Sequence, residues 1–379
     1  MRHLFSLLML VLLPVTLSSG VLAFETAALQ AILIDSATGT VLLEKDSDVP
    51  APPASLSKLM TSYMVFEEIK MGGLALDDML LVSEKAWRMG GSKMFVEVGD
   101  KVSVEDLLRG VVVQSGNDAC IVLAETIAGS EAAFSDLMTD RAHEMGMSNS
   151  TFTNSTGWPD PEHRMSPRDI AFLTQRIVID FPEFFPYFAE KEFTYNGIRQ
   201  GNRNPLLYKN IGADGMKTGY TKDSGYSLAA TALRNDRRLI LVLTGLDSAR
   251  QRATEGERLL DYGFRKFNNY ELFTSGETVE NADVWLGDFS QVPLVIEDTL
   301  TVTLPRDSRD KLQVSVVFES PIPAPVKAGE IIATLLVETP DTKSIELPLI
   351  AGKAVPRAGP FRRISGALSY MLFGPSLEE

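Results

Sequence analysis

Two β-prone hairpin patterns stand on either side of a long, mostly helical stretch, and that order restricts the folds open to the chain. Residues 31–43 read Ala-Ile-Leu-Ile-Asp-Ser-Ala-Thr-Gly-Thr-Val-Leu-Leu, two apolar runs about a polar turn holding Gly39, which predicts a hairpin. Residues 226–233 and 239–246 repeat the pattern around Arg234-Asn235-Asp236-Arg237-Arg238. Between the two hairpins, Leu56, Leu59, Met60, Tyr63, Phe66 and Ile69 recur at helical spacing. The segment from 84 to 185 reads as mostly helix and loop, and Leu259, Leu260 and Phe264 mark a further helix. Hairpin, helices, hairpin, helix predicts an antiparallel sheet flanked by helices, α/β in the broad α+β sense.

Composition changes near residue 270. Short alternating segments follow, such as Thr299-Leu300-Thr301-Val302-Thr303-Leu304, punctuated by Pro321, Pro323 and Pro325. A small all-β domain, a β-sandwich over 269–352, is the expectation. The last segment, 353–379, carries Lys353, Arg357, Arg362 and Arg363, with no acid until Glu378. Phe361, Ile364, Leu368, Met371 and Leu372 fit one face of a helix, an amphipathic basic pattern that reads as a membrane-surface anchor. A helix docked on its own domain and an unstructured tail are the competing readings, and Gly366 and Gly374 weaken any helix.

The N-terminus reads as a targeting segment. Arg2 and His3 precede the uncharged apolar stretch 4–17, and Val21-Leu22-Ala23 supplies small residues for cleavage, so residues 1–23 are expected to be a signal peptide. The apolar stretch is shorter than the ~20 residues of a membrane span, although a short span can tilt or thin the bilayer and remain as an anchor. The formal charge is −14, from 36 Lys+Arg against 50 Asp+Glu, which argues against a nucleic-acid binder. Charged residues at 23% and hydrophobic ones at 45% exclude disordered, collagen-like and coiled-coil chains. The single cysteine, Cys120, has no internal disulfide partner and sits in an apolar segment, where it reads as a small buried hydrophobe. With His143 and His163 alone beyond the leader, a His-rich metal site is not expected and a Ser-His-Asp triad has few candidates.

Three short motifs carry chemistry. Ser55-Leu56-Ser57-Lys58 is an S-x-x-K where a helix should begin; three residues apart is one helix face, so the Lys58 amine can reach the Ser55 hydroxyl. A serine hydroxyl is a poor nucleophile until a nearby base removes its proton, which a partly desolvated lysine can do. Ser115-Gly116-Asn117 offers a hydroxyl to shuttle a proton and an amide to bond a substrate carbonyl; by itself it also reads as a loop and helix cap. Lys217-Thr218-Gly219 sets a cation beside a hydroxyl, suited to a carboxylate, with a glycine that lets substrate approach the backbone.

S-x-x-K, S-x-N and K-T-G in this order form the signature of the serine penicillin-recognising enzymes. The chain resembles the low-molecular-mass penicillin-binding proteins that are serine-type D-alanyl-D-alanine carboxypeptidases, of the penicillin-binding protein five kind. The likeness extends to residues 53–61, 114–120, Asn202-Arg203-Asn204 and 215–221. It is strong over 30–265 and looser beyond. It implies a β-lactamase/transpeptidase-like catalytic domain over 24–268, with an all-helical subregion beside its sheet. It also implies that Ser55 is acylated, that Lys58 is its general base, and that Ser115 relays a proton with help from Lys217. Asn117 would hold the peptide carbonyl; Lys217 and Thr218 would engage the terminal carboxylate, supported by Arg203. The backbone N–H groups of Ser55 and Tyr220, the residue after Gly219, would form the oxyanion hole. Tyr220 departs from the histidine often found there, which affects side-chain contacts. The loop 154–169, with Gly157, His163, Ser166 and Asp169, also resembles the family; His163 reads as a loop anchor, His143 as a surface residue. Trp87, Gly90 and Gly91 fall where the family has a loop near the site, and read equally as ordinary packing.

The resemblance implies a carboxypeptidase that removes the terminal D-alanine of peptidoglycan pentapeptide stems, acylated by β-lactams at the same serine, with no metal or organic cofactor. It implies an exported protein held by its C-terminal helix on the periplasmic face of the inner membrane. A D,D-endopeptidase cutting cross-links and a non-catalytic envelope scaffold remain alternatives. A class A β-lactamase fits less well, because Ser115-Gly116-Asn117 stands where those enzymes carry S-D-N.

Overall fold

The computed structural model describes residues 25–339 and 342–364. The expected leader over 1–23 and most of the expected C-terminal helix lie outside these residues.

Five antiparallel strands form the central sheet, in the order Val41–Lys45, Gln30–Asp35, Arg237–Leu246, Gly225–Arg234, Ala213–Thr221. The two hairpins read from the sequence therefore join edge to edge, through the pairing of Gln30–Asp35 with Arg237–Leu246. The second hairpin turns at Asn235 and Asp236, whose φ angles of 49° and 60° are the left-handed pair a two-residue turn requires to match strand twist. Period-two alternation sends Ile32, Ile34, Ile240 and Val242 into the larger core, which lies against the helices. Ala31, Leu33, Leu239 and Leu241 go to the other face, where Leu259 and Leu260 of the Ala249–Lys266 helix cover them.

The helix Lys58–Met71 is buried on nearly every side, as a central helix must be. Phe66 stacks on Phe184, with centroids 4.9 Å apart. Around it pack the helices Val104–Val112, Asn117–Ala128, Glu131–Glu144 and Pro167–Asp180. One detail differs from the sequence expectation. The S-x-x-K segment does not open an α-helix directly: Ala54–Ser57 forms a 3-10 turn and the α-helix starts at Lys58. Ala54 has φ 50°, so the chain enters the turn from a left-handed residue, and the serine sits on a sharp corner before the helix.

At the end of the Ala249–Lys266 helix the chain passes straight into the strand Phe267–Phe273, paired with Leu300–Pro305. A six-stranded sheet follows, in the order Gln313–Val317, Ile331–Thr339, Thr342–Ala351, Gln291–Val295, Thr278–Trp285, Ile322–Pro323. These strands enclose their own apolar core, with Leu294, Leu335 and Leu349 at its centre. A polar relay joins the two regions: Asn269 Nδ2 donates to Asp35 Oδ1, Thr303 Oγ1 donates to Asn269 Oδ1, and the hydroxyls of Thr38 and Thr303 lie 2.6 Å apart. Asp35 is itself buried and paired with Arg237 at 2.7 Å. Among the described residues, no helix is long and apolar enough to cross a membrane.

Candidate active site

The corner at Ala54 leaves Ser55 half-buried and turns Lys58 inward. Lys58 is 1% exposed, and its Nζ donates to Ser55 Oγ at 3.0 Å and to the backbone carbonyl of Thr156. Burial disfavours the ammonium form and brings the Lys58 pKa down from 10.5 to about 8. The amine is thus held against the serine hydroxyl near the point where it can accept a proton.

Lys217 reaches the same place from the edge strand Ala213–Thr221. Its Nζ donates to Ser115 Oγ at 2.8 Å and to the Thr218 carbonyl at 3.2 Å. Burial, and then the nearby charges of Lys58 and Arg203, push its pKa well below that of an ordinary lysine. Ser115 adopts φ 61°, a left-handed conformation costly for a side chain other than glycine, of the kind found where a site demands it. Thr218 is buried beside Lys217. Gly219 passes close to the serine corner: a Cβ there would lie 3.0 Å from the Pro53 carbonyl oxygen and 3.3 Å from Ala54 Cβ. Tyr220 turns its side chain outward, 54% exposed, against the ring of Tyr226 at 4.3 Å between centroids.

Asn117 opens the third wall, at the start of its helix. Its Nδ2 donates to the Gly90 carbonyl at 2.8 Å and its backbone N–H to the Ser92 carbonyl at 2.7 Å. Gly90 and Gly91 therefore belong to the rim of the site, and Trp158 closes over Gly90. Arg203 is exposed and donates to Ser92 Oγ, so it reaches the rim.

Four supporting groups were not singled out from the sequence. Asp118 accepts from the backbone N–H groups of Met94, Phe95 and Val96 and fixes the segment after Ser92; an acid inside the apolar run after Asn117 was the available signal. Ser92 joins Asn117 to Arg203, and the Thr156 carbonyl holds Lys58. Ser57 meets His163: with the Ser57 hydroxyl donating to the Ala54 carbonyl at 2.9 Å, His163 Nε2–H donates to Ser57 Oγ at 2.7 Å. His163 Nδ1 accepts from the Thr153 N–H, and burial lowers its pKa from 6.5 to about 4, so it is a neutral anchor at neutral pH. Its loop is pressed against the serine corner at Gly157, where φ is 76° and a Cβ would stand 1.8 Å from the Ala54 carbonyl oxygen. Asp169 accepts from the Asn149 N–H and the Ser150 hydroxyl, and Ser166 caps the following helix. Cys120 is buried and His143 is exposed.

A cavity of about 530 Å³ opens next to this corner, walled by Pro53, Ala54, Gly157, Trp158 and Thr221. Among the described residues, no cluster of three or more His, Cys, Asp or Glu could hold a metal ion.

The sequence profile of the D-alanyl-D-alanine carboxypeptidase peptidases matches residues 18–248, and that of the penicillin-binding protein 5 C-terminal domain matches 267–357. The chain belongs to the D-alanyl-D-alanine carboxypeptidase family. It is 42% identical to the D-alanyl-D-alanine carboxypeptidase DacC of Escherichia coli strain K12 over 342 residues, 88% of this chain and 85% of that protein. Penicillin binding protein 5 of Haemophilus influenzae superposes with a TM-score of 0.80 at 35% identity, covering 88% of this chain and 98% of the other. Penicillin-binding protein D2 of Listeria monocytogenes, in its ampicillin-bound form, superposes with a TM-score of 0.59 at 28% identity over 63% of this chain and 98% of its own. The chain is accordingly a hydrolase of the carboxypeptidase class, with the mixed α/β catalytic fold and β-rich C-terminal region of these proteins.

Proposed function

We propose that the protein removes the terminal D-alanine from peptidoglycan pentapeptide stems through an ester on Ser55. The neutral Lys58 amine takes the Ser55 proton as Oγ attacks the carbonyl carbon of the D-Ala–D-Ala bond. Negative charge gathers on the carbonyl oxygen, which the backbone N–H groups of Ser55 and Tyr220 receive. Ser115 hands its proton to the departing amine and regains one from Lys217. D-alanine leaves, and water then hydrolyses the ester. Asn117 holds the peptide carbonyl on the upstream side, while Lys217, Thr218 and Arg203 face the terminal carboxylate. β-Lactams acylate the same serine, because their strained amide mimics the scissile peptide.

The observation that carries this reading is the convergence of two buried amines, one 3.0 Å from Ser55 Oγ and the other 2.8 Å from Ser115 Oγ. Neither amine has an ion-pair partner among the described residues, so hydrogen bonds to neutral groups, and no carboxylate, offset their removal from water. A scaffold has no use for such a pair. The cavity beside Ala54 offers room for the remainder of the stem. Residues 1–23 act as a leader for export, and the tail 353–379 holds the protein to the periplasmic face of the inner membrane.

Two incubations of the purified protein test the reading. A fluorescent penicillin is expected to label the wild type covalently and to leave Ser55→Ala unlabelled; an unlabelled wild type overturns it. Mass spectrometry of products from a pentapeptide stem and from a cross-linked dimer is expected to show free D-alanine from the first; cleavage of the dimer alone assigns an endopeptidase instead.

A further inference from the structure

We propose that the folded β-domain itself touches an anionic phospholipid surface, through a patch centred on Phe289 and Lys353. The inference rests on the reading that the tail reaches a membrane, and goes beyond it by giving the folded domain a lipid-contacting face.

The loop 286–290 and the segment 353–364 are bound into one surface. Asp288 N–H donates to the Pro356 carbonyl at 2.9 Å, Ala358 N–H to the Leu286 carbonyl at 2.8 Å, and Gly287 bridges Arg357. On this surface three large apolar side chains face solvent: Phe289 at 52%, Phe361 at 89% and Ile364 at 62% exposed. Lys353 holds its ammonium 4.8 Å from the centre of the Phe289 ring; Arg357, Arg362 and Arg363 are exposed on the same segment, and Arg362 Nη1 donates to the Asp288 carbonyl beside Phe289. Glu319 lines a cavity with Arg357 and Arg363; from residue 353 to the last described residue, 364, the segment carries four cations and no acid, on a chain of net charge −14.

Aromatic and aliphatic side chains ringed by lysine and arginine suit the boundary between acyl chains and anionic headgroups. The apolar groups enter the boundary, and the cations meet phosphate in a field that favours each of them. The chain then continues from Ile364 into Leu368, Met371 and Leu372, the residues whose spacing suggested the anchor. The patch is therefore continuous in sequence with the rest of the tail. A protein partner would need acidic groups to match the cations and a shaped surface to cover the apolar residues; an anionic lipid interface supplies both, through its phosphates and its acyl boundary.

The test is sedimentation of the full chain with vesicles of equal parts phosphatidylglycerol and phosphatidylcholine, and with phosphatidylcholine alone. The variants are Phe289→Ser with Lys353→Glu, and Phe289→Ser alone, which lies outside the tail 353–379 and guards against a double change that perturbs folding; hydrolysis of a soluble D-Ala-D-Ala peptide reports the folded enzyme. The wild type is expected to bind the anionic vesicles, the double variant to bind about tenfold or more weakly, and Phe289→Ser about fivefold more weakly. The difference should vanish on phosphatidylcholine alone. Equal binding by wild type and variants overturns the β-domain patch and leaves the tail reading intact. Failure of the wild type to bind any vesicle overturns both.

Discussion

Lys217 Nζ stands 2.8 Å from Ser115 Oγ, across 102 residues of sequence. The strand that carries the lysine is set by its pairing with Gly225–Arg234, and the serine by a left-handed turn between two helices. Ser115→Ala removes the hydroxyl and leaves the buried ammonium with the Thr218 carbonyl as its remaining described acceptor. If Ser115 relays the proton, the rate constant of acylation by a fluorescent penicillin falls by about 10²- to 10⁴-fold, while thermal unfolding shows the protein folded. An unchanged acylation rate would leave Ser115 as a structural residue.

The pH dependence of acylation should follow Lys58. With a pKa near 8, the amine carries a proton in acid and frees it as pH rises. The acylation rate constant is therefore expected to climb roughly tenfold per pH unit below that value and to level off above it. Labelling time courses from about pH 6 to about pH 9 check this, and Lys58→Arg, which cannot deprotonate in this range, should remove the rise along with most of the rate.

Gly157→Ala should damage structure and rate together. A methyl group at this position would stand 1.8 Å from the Ala54 carbonyl oxygen on a backbone with φ 76°, so either the loop or the serine corner must move. The cost is on the order of 2–4 kcal/mol. Because Thr156 is the next residue and its carbonyl holds Lys58, acylation should slow in the protein that still folds; a variant with wild-type melting temperature and rate would contradict the packing described.

Asp118→Asn tests the clamp behind Asn117. The carboxylate accepts from the N–H groups of Met94 and Phe95 at 2.9 Å each. An amide has one acceptor oxygen and would turn a second donor toward a backbone N–H. Leaving one buried N–H unpaired costs about 1–3 kcal/mol. Calorimetry should show that loss, and KM for a D-Ala-D-Ala peptide should rise as the Gly90–Ser92 rim loosens.

His163 should make the catalytic domain sensitive to acid. Its pKa in the fold is about 4 against an ordinary 6.5, so between these values the unfolded chain binds a proton that the native protein refuses. Stability from this group is complete above about pH 6.5 and declines as pH falls toward 4, by about 3 kcal/mol in all. Thermal unfolding over this range should be less pH-dependent in His163→Gln than in the wild type; identical slopes would remove His163 as the cause.

Much of the architecture was legible in its apolar pattern. Apolar, β-prone runs about polar turns in residues 31–43 and 226–246 mark the hairpins, and the helical spacing from Leu56 to Ile69 marks a helix. The groups proposed to react were legible because Ser55, Lys58, Ser115, Asn117, Lys217 and Thr218 carry their chemistry in their side chains. The 3-10 turn at Ser55 was not, since the left-handed backbone at Ala54 comes from the way the corner packs against Gly157 and Gly219.

Sequence alone thus determined which chemical groups this chain brings and which segments are strand or helix. Tertiary structure decided how those groups are held: the Thr156 carbonyl on Lys58, the Asp118 carboxylate on the Met94–Val96 backbone, and the His163 ring on Ser57. A backbone carbonyl is the same in every residue, and partners separated by 22 to 106 residues leave no period to read. Only the packed fold can select them, because burial makes each unpaired polar group costly and so fixes which neighbour it must find.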